Sequence, residues 1–172
     1  MVNPFNPNFN IFTEVHGKNL RTLALAFFYS ALDAHETGGE NKGKIVRAVM
    51  EGHEGRAYEW CAGIATLCYI YAARLLEIPN PFAELGRLRW SSSAIYNFAK
   101  KKGWIVKKPL NGDLFLVQKI PPTKRVSHKH TAMVARVQSD SLITIEGNFK
   151  DKVAMNNRSY SGLTFIRVNK KR

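Results

Sequence analysis

The chain has 172 residues, with 26 Lys and Arg against 13 Asp and Glu, for a formal net charge of +13. Its 45% hydrophobic and 11% aromatic content is enough to build a core, which excludes a disordered basic tail or a histone-like arm. Counted by halves, residues 1–90 carry 9 basic and 9 acidic side chains and residues 91–172 carry 17 and 4, so the whole excess lies in the second half. Such asymmetry points to a polyanionic partner: nucleic acid, an anionic membrane surface or an acidic wall polymer.

In chain order, residues 1–17 begin with Asn-Pro steps and read as an irregular arm. Residues 18–34 place Leu20, Leu23, Ala24, Phe27 and Phe28 at helical spacing, and Gly38-Gly39 ends that region. A short amphipathic helix is expected over 43–51, and Gly52 and Gly55 bracket the loop after it. Residues 57–76 are apolar on every side, the mark of a central buried helix, which Ile78-Pro79-Asn80-Pro81 stops. Ser91-Ser92-Ser93 supplies caps for a fourth helix that runs to Lys102 and closes at Gly103.

Beyond Gly103 the pattern changes to strands, at 113–118, 131–138, 142–146, 152–155 and 163–168. A helical part over 18–102 followed by a sheet part over 112–168 implies one α+β domain spanning 1–172. The first eight residues have no basic n-region and no apolar h-region, and the longest apolar stretch, 67–76, is interrupted by Arg74. A membrane span needs about 20 apolar residues, so a soluble protein made in the cytoplasm without a signal peptide is expected.

Two cysteines are too few for a disulfide scaffold. On one helix Cys61 and Cys68 would lie about 10.5 Å apart along the axis, beyond the roughly 7 Å a bridge spans. Cys61 falls at the start of the central helix, where the helix dipole and unpaired N–H groups favour a thiolate. A thiolate nucleophile needs a base, and the base an orienting group. The strand region offers His128, His130, Glu146 and Asn148.

Both histidines fall on one face of an ideal strand. A hairpin through Ser139-Asp140-Ser141 brings His130 towards Glu146 if a bulge or offset is present. Taken singly, each residue has a plainer reading: a helical cysteine as a small hydrophobe, a strand histidine as structural, a strand-end glutamate as solvated.

Five motifs change those readings together. Glu36-Thr37-Gly38-Gly39, Trp60-Cys61-Ala62-Gly63, Gly112-Asp113-Leu114-Phe115, His130-Thr131-Ala132-Met133-Val134 and Ile145-Glu146-Gly147-Asn148 occur in the order found in the CHAP family of cysteine peptidases and amidases. The closing Arg158-Ser159-Tyr160 and Phe165-Ile166-Arg167-Val168 are similar too, so the resemblance covers roughly 36–168.

What the resemblance implies is a papain-like fold, with the nucleophile at the start of a central helix and an antiparallel sheet of five to six strands after it. It implies cleavage of an amide bond in peptidoglycan, by an N-acetylmuramoyl-L-alanine amidase or a peptide endopeptidase, as in single-domain phage endolysins. Cys61 matches the nucleophile and His130 the general base, and Glu146 and Asn148 match the residues that orient the imidazole or line the site. Trp60 and Tyr58 are the expected substrate contacts, with Tyr58 or Arg56 as the candidates for a second oxyanion donor beside the Cys61 N–H.

Some family members bind calcium through an acidic loop before the nucleophile. Residues 51–59 here lack an Asp-x-Asp alternation, so no metal and no cofactor are expected, although His53 and Glu54 are possible ligand types. Glu59, close to Cys61, would oppose thiolate formation unless turned away.

The expected partners are peptidoglycan and, through Lys100-Lys101-Lys102, Lys107-Lys108, Lys124-Arg125, Lys129 and the Lys170-Lys171-Arg172 tail, anionic envelope polymers, with the protein a monomer. Without a signal peptide, the enzyme would reach the wall by release or injection, and an injected amidase toxin is the alternative enzymatic reading. A basic nucleic-acid-binding module is the rival from another class, but no aromatic stacking platform interleaves with the basic residues, so no nucleic acid is expected.

Overall fold

A computed structural model describes residues 19–118 and 128–169. The expected arm over 1–17, the pair Lys124-Arg125 and the tail from residue 170 lie outside the described residues. The element order is α1 (Leu20–Ser30), α2 (Lys44–Val49), α3 (Cys61–Leu75), a 3-10 segment (Ala83–Trp90), α4 (Ser92–Lys102), then β1 (Ile105–Val106), β2 (Leu114–Gln118), β3 (His128–Val137), β4 (Leu142–Phe149), β5 (Lys152–Arg158) and β6 (Leu163–Ile166). Helices precede strands, and the six strands form one antiparallel sheet ordered β1-β6-β2-β3-β4-β5. The protein is therefore α+β.

Local chemistry sets the helix ends. Asn19 caps α1 by accepting from the N–H groups of Arg21 (3.0 Å) and Thr22 (3.3 Å). Ser91 caps α4 through Ala94 N–H at 3.3 Å, and Gly103, at φ +72°, closes it in the left-handed region. α3 buries twelve of its fifteen residues, as its all-round apolar surface requires. It packs on α1 and lies across β3 and β4. Helix α2 comes so close to α3 that a Cβ on Gly63 would sit 2.7 Å from Met50 Sδ and 2.8 Å from Val49 Cγ1.

Two elements lacked a sequence signal. The 3-10 segment has no amphipathic period and breaks at Gly86. It is fixed by Arg89, a buried cation that bonds Gly63 O (3.1 Å), Thr66 Oγ1 (3.2 Å) and Glu51 (3.0 Å). Strand β1 is only two residues long and exists through its pairing with β6. The main core lies between the helices and the sheet, and a smaller cluster of Phe115, Ala132, Val134, Leu142 and Phe165 packs separately.

Candidate active site

The central helix begins at Cys61, four residues later than its apolar pattern suggests, because residues 57–60 approach it as irregular chain. Cys61 is thus the first residue of α3. No side chain caps that turn, so its leading N–H groups lack an intrahelical partner. Trp60, just before it, is fully buried and donates its indole N–H to Glu36 Oε1 at 2.8 Å. Glu36 Oε2 in turn accepts from Asn41 N–H at 2.6 Å. This corrects the expectation that Trp60 meets substrate: its ring faces the interior and anchors the chain that leads into Cys61. Gly147 of β4 makes room for it, since a Cβ there would lie 3.2 Å from Trp60 Cζ3 and overlap Ile64.

His130 and Glu146 meet, with Nε2 2.8 Å from Glu146 Oε2. The offset that the hairpin needs is a register shift between Val134 and Arg136. The histidines do not share an environment as an ideal strand implies, because the β2–β3 pairing slips between Val117, opposite His130, and Gln118, opposite His128. His128 instead lies 3.3 Å from Thr164 Oγ1 and packs on Tyr96. Burial holds its pKa below the usual 6.5.

Glu146 is fully buried, and four side chains bond it. Arg158 grips it twice, Nε to Oε1 and Nη2 to Oε2, both at 2.6 Å. Thr144 donates to Oε1 at 2.6 Å and Asn156 at 3.1 Å, and His130 completes the set. Burial pushes the Glu146 pKa up, but the bonds from His130, Arg158 and Thr144 outweigh it and bring it to about 2. For His130, burial disfavours the charged ring, yet the nearby Cys61 and the Glu146 carboxylate prevail and raise its pKa to about 9. At neutral pH the imidazole is therefore protonated, the form that can pair with a thiolate and give a proton away.

Cys61 lies in the wall of two adjoining hollows. The larger, about 710 Å³, includes Arg56, Tyr58, Trp90, His128 and Lys129. The smaller, about 280 Å³, includes His130, Asn41, Asn148 and the carboxylates of Glu40, Glu59 and Asp151. Asn148, at φ +54° in an irregular stretch of β4, donates to Asn41 Oδ1 at 3.0 Å, so it lines the hollow while Glu146 holds the imidazole. Tyr58 lines the larger hollow and stacks on His53 at 5.2 Å. Arg56 is exposed and lies 3.6 Å from Glu40, and exposed Glu59 borders both hollows.

The two possible ligand types in the loop are otherwise engaged. His53 takes part in that stack, and Glu54 accepts from Gly43 N–H (2.9 Å) and Arg47 (2.6 Å). Among the described residues no group of three or more His, Cys, Asp or Glu could hold a metal ion. Cys68 is a free, fully buried thiol whose pKa burial drives well up.

Thr144, Asn156 and Arg158 were not singled out from the sequence as site residues. Their signal is polar side chains recurring at period two on paired strands, with Thr144 opposite Asn156 and Leu142 opposite Arg158. Comparison with protein-family models, with curated proteins and with solved structures finds no match. The site is thus defined by its own geometry, a hydrogen-bonded His130-Glu146-Arg158 chain that shares a hollow with Cys61 on an α+β scaffold. Among the described residues no helix is long and apolar enough to cross a membrane.

Proposed function

We propose that the protein is a cysteine-dependent hydrolase of an amide bond in bacterial peptidoglycan, working through a papain-like arrangement. One observation carries the reading: a cysteine at the first position of a buried helix shares a hollow with a histidine whose Nε2 is held at 2.8 Å by a fully buried carboxylate. Peptidoglycan as the substrate rests on the motif resemblance and on the excess positive charge.

In the reaction, Cys61 Sγ attacks the carbonyl carbon and the tetrahedral oxyanion is stabilised by the Cys61 N–H at the helix start. His130 gives its proton to the departing nitrogen as the C–N bond breaks, which leaves a thioester and a free amine. Water then attacks the thioester, His130 takes its proton, and the carboxylic acid leaves as the C–S bond breaks, which restores the Cys61 thiolate beside the imidazolium. Because the proton donor belongs to the smaller hollow, the amine half of the substrate lies there and the acyl half in the larger one.

Digestion of purified peptidoglycan, followed by mass spectrometry of the fragments, tests the reading. New amine and carboxyl ends in equal number are expected with the wild type and none with Cys61→Ala. Absence of new ends with the wild type, or their presence with Cys61→Ala, refutes it.

A further inference from the structure

Three features beyond the Cys-His-Glu set invite a role: the apolar hollow beside α1 at Ala31 and Ile45, the buried His128, and the clamp on Glu146. Nothing in the structure says what would cover the first, and the second bonds Thr164 and Ser93, packs on Tyr96 and borders the larger hollow already described. The clamp carries an inference. We propose that Arg158 is the positioning residue of the site: it fixes one edge of Glu146 so that the other stays on His130, and it sets the pH range in which the imidazole can act. This rests on the catalytic reading of His130.

The geometry separates Arg158 from an ordinary ion pair. Both of its bonds to Glu146 are 2.6 Å, and they engage both carboxylate oxygens in a planar fork that holds the carboxylate in one plane. Oε2 is shared between Arg158 Nη2 and His130 Nε2, so the guanidinium and the imidazole compete for the same anion. The guanidinium is itself stationed over the Phe115 ring at 5.7 Å.

The electrostatic consequence has a definite sign. A buried carboxylate with histidine as its only cation would bind the imidazolium strongly and keep it protonated at high pH. A second, permanent cation on the same carboxylate weakens that hold. The other charged or titratable groups near His130 are Cys61 from α3, its neighbour Lys129, and the carboxylates of Glu40, Glu59 and Asp151 across the smaller hollow. Thr144 and Asn156 complete the Glu146 shell and are neutral. Among the described residues Arg158 is the only permanent cation bonded to Glu146. Removing its charge should let His130 hold its proton to higher pH.

The test is an NMR titration of the His130 ring in a Cys61→Ser background, with and without Arg158→Met, beside the pH profile of hydrolysis in proteins that keep Cys61. We expect the Met variant to raise the His130 midpoint by about one pH unit, a like-charge effect of ordinary size. The alkaline limb of activity should move the same way, with the rate at pH 7 falling about tenfold to a hundredfold from lost alignment. Arg158→Lys, which keeps the charge but not the fork, should return the limb to the wild-type position and recover only part of the rate.

A folded Met variant with an unmoved midpoint overturns the proposal. If Arg158→Met does not fold, Arg158→Gln replaces it, and loss of fold in both overturns the positioning role in favour of a purely structural one. Should the wild type fail to cleave peptidoglycan, the proposed function falls while the titration still decides the role of Arg158.

Discussion

Glu146→Gln preserves the shape of the side chain and removes its charge, and the structure says how much that should matter. Burial opposes ionisation of Glu146, but the bonds from His130, Arg158 and Thr144 bring its pKa from the usual 4.5 to about 2. That difference corresponds to about 3 kcal/mol of folding stability. It agrees with the roughly 3–5 kcal/mol lost when one member of a buried ion pair is deleted. Since the native carboxyl is the stronger acid, the contribution is complete above pH 4.5 and drains away as the pH falls towards 2.

Urea unfolding of wild type and Glu146→Gln at pH 7 and pH 3 measures it. The variant should be less stable by about 3 kcal/mol at pH 7, and the gap should close by about 2 kcal/mol at pH 3. A gap below about 1 kcal/mol at pH 7, or one of equal size at both pH values, would show that Glu146 is not held as an anion by this network.

Other consequences can be checked separately. Iodoacetamide at pH 7 should alkylate Cys61 and spare Cys68, whose thiol is fully buried and pushed up in pKa, as peptide mapping would report. Gly147→Ala should destabilise the fold by about 1–3 kcal/mol in thermal or urea unfolding, because the new methyl meets Trp60 and Ile64. It should also lower hydrolysis roughly a hundredfold by shifting β4 against the start of α3. Lys100→Gln with Lys101→Gln should weaken binding to purified walls at low salt and leave it unchanged at high salt, measured by pelleting. Lys102 is best left in place, since it pairs with Glu84 and lies 5.2 Å from the Phe98 ring centre.

Periodicity and order carried much of this molecule. The all-round apolar helix is central, the strands follow the helices, and the need for an offset in the hairpin is met by the shift between Val134 and Arg136. What escaped has a physical cause in each case. Strand alternation put His128 and His130 on one face, but alternation holds only while the ladder is regular, and it slips at Gln118. Trp60 beside Cys61 reads as a substrate contact, since sequence proximity does not reveal that its indole N–H is committed to Glu36. Arg158 lies twelve residues from the carboxylate it grips, and only the β4–β5 pairing brings them together.

The pairing also changes the meaning of the charge. Residues 91–172 hold four carboxylates, and two of them, Asp113 and Glu146, are fully buried. Asp113 is taken up by Arg167 at 2.8 Å and Arg21 at 3.5 Å, and Glu146 by Arg158 and His130. Only Asp140 and Asp151 remain exposed in that half, among Lys100, Lys101, Lys107, Lys108, Lys129, Lys150 and Lys152. The surface there is thus more uniformly positive than a sum over the sequence suggests, and Asp151 lies in the smaller hollow with Glu40 and Glu59. The three carboxylates face Lys129 and His130 across that hollow, so it is of mixed charge and offers a polyanion less attraction than the lysines around it. Under the proposed function, recruitment and cleavage use different parts of the surface, so neutralising Lys100, Lys101, Lys107 and Lys108 should alter encounter at low salt without altering turnover of a small uncharged amide substrate.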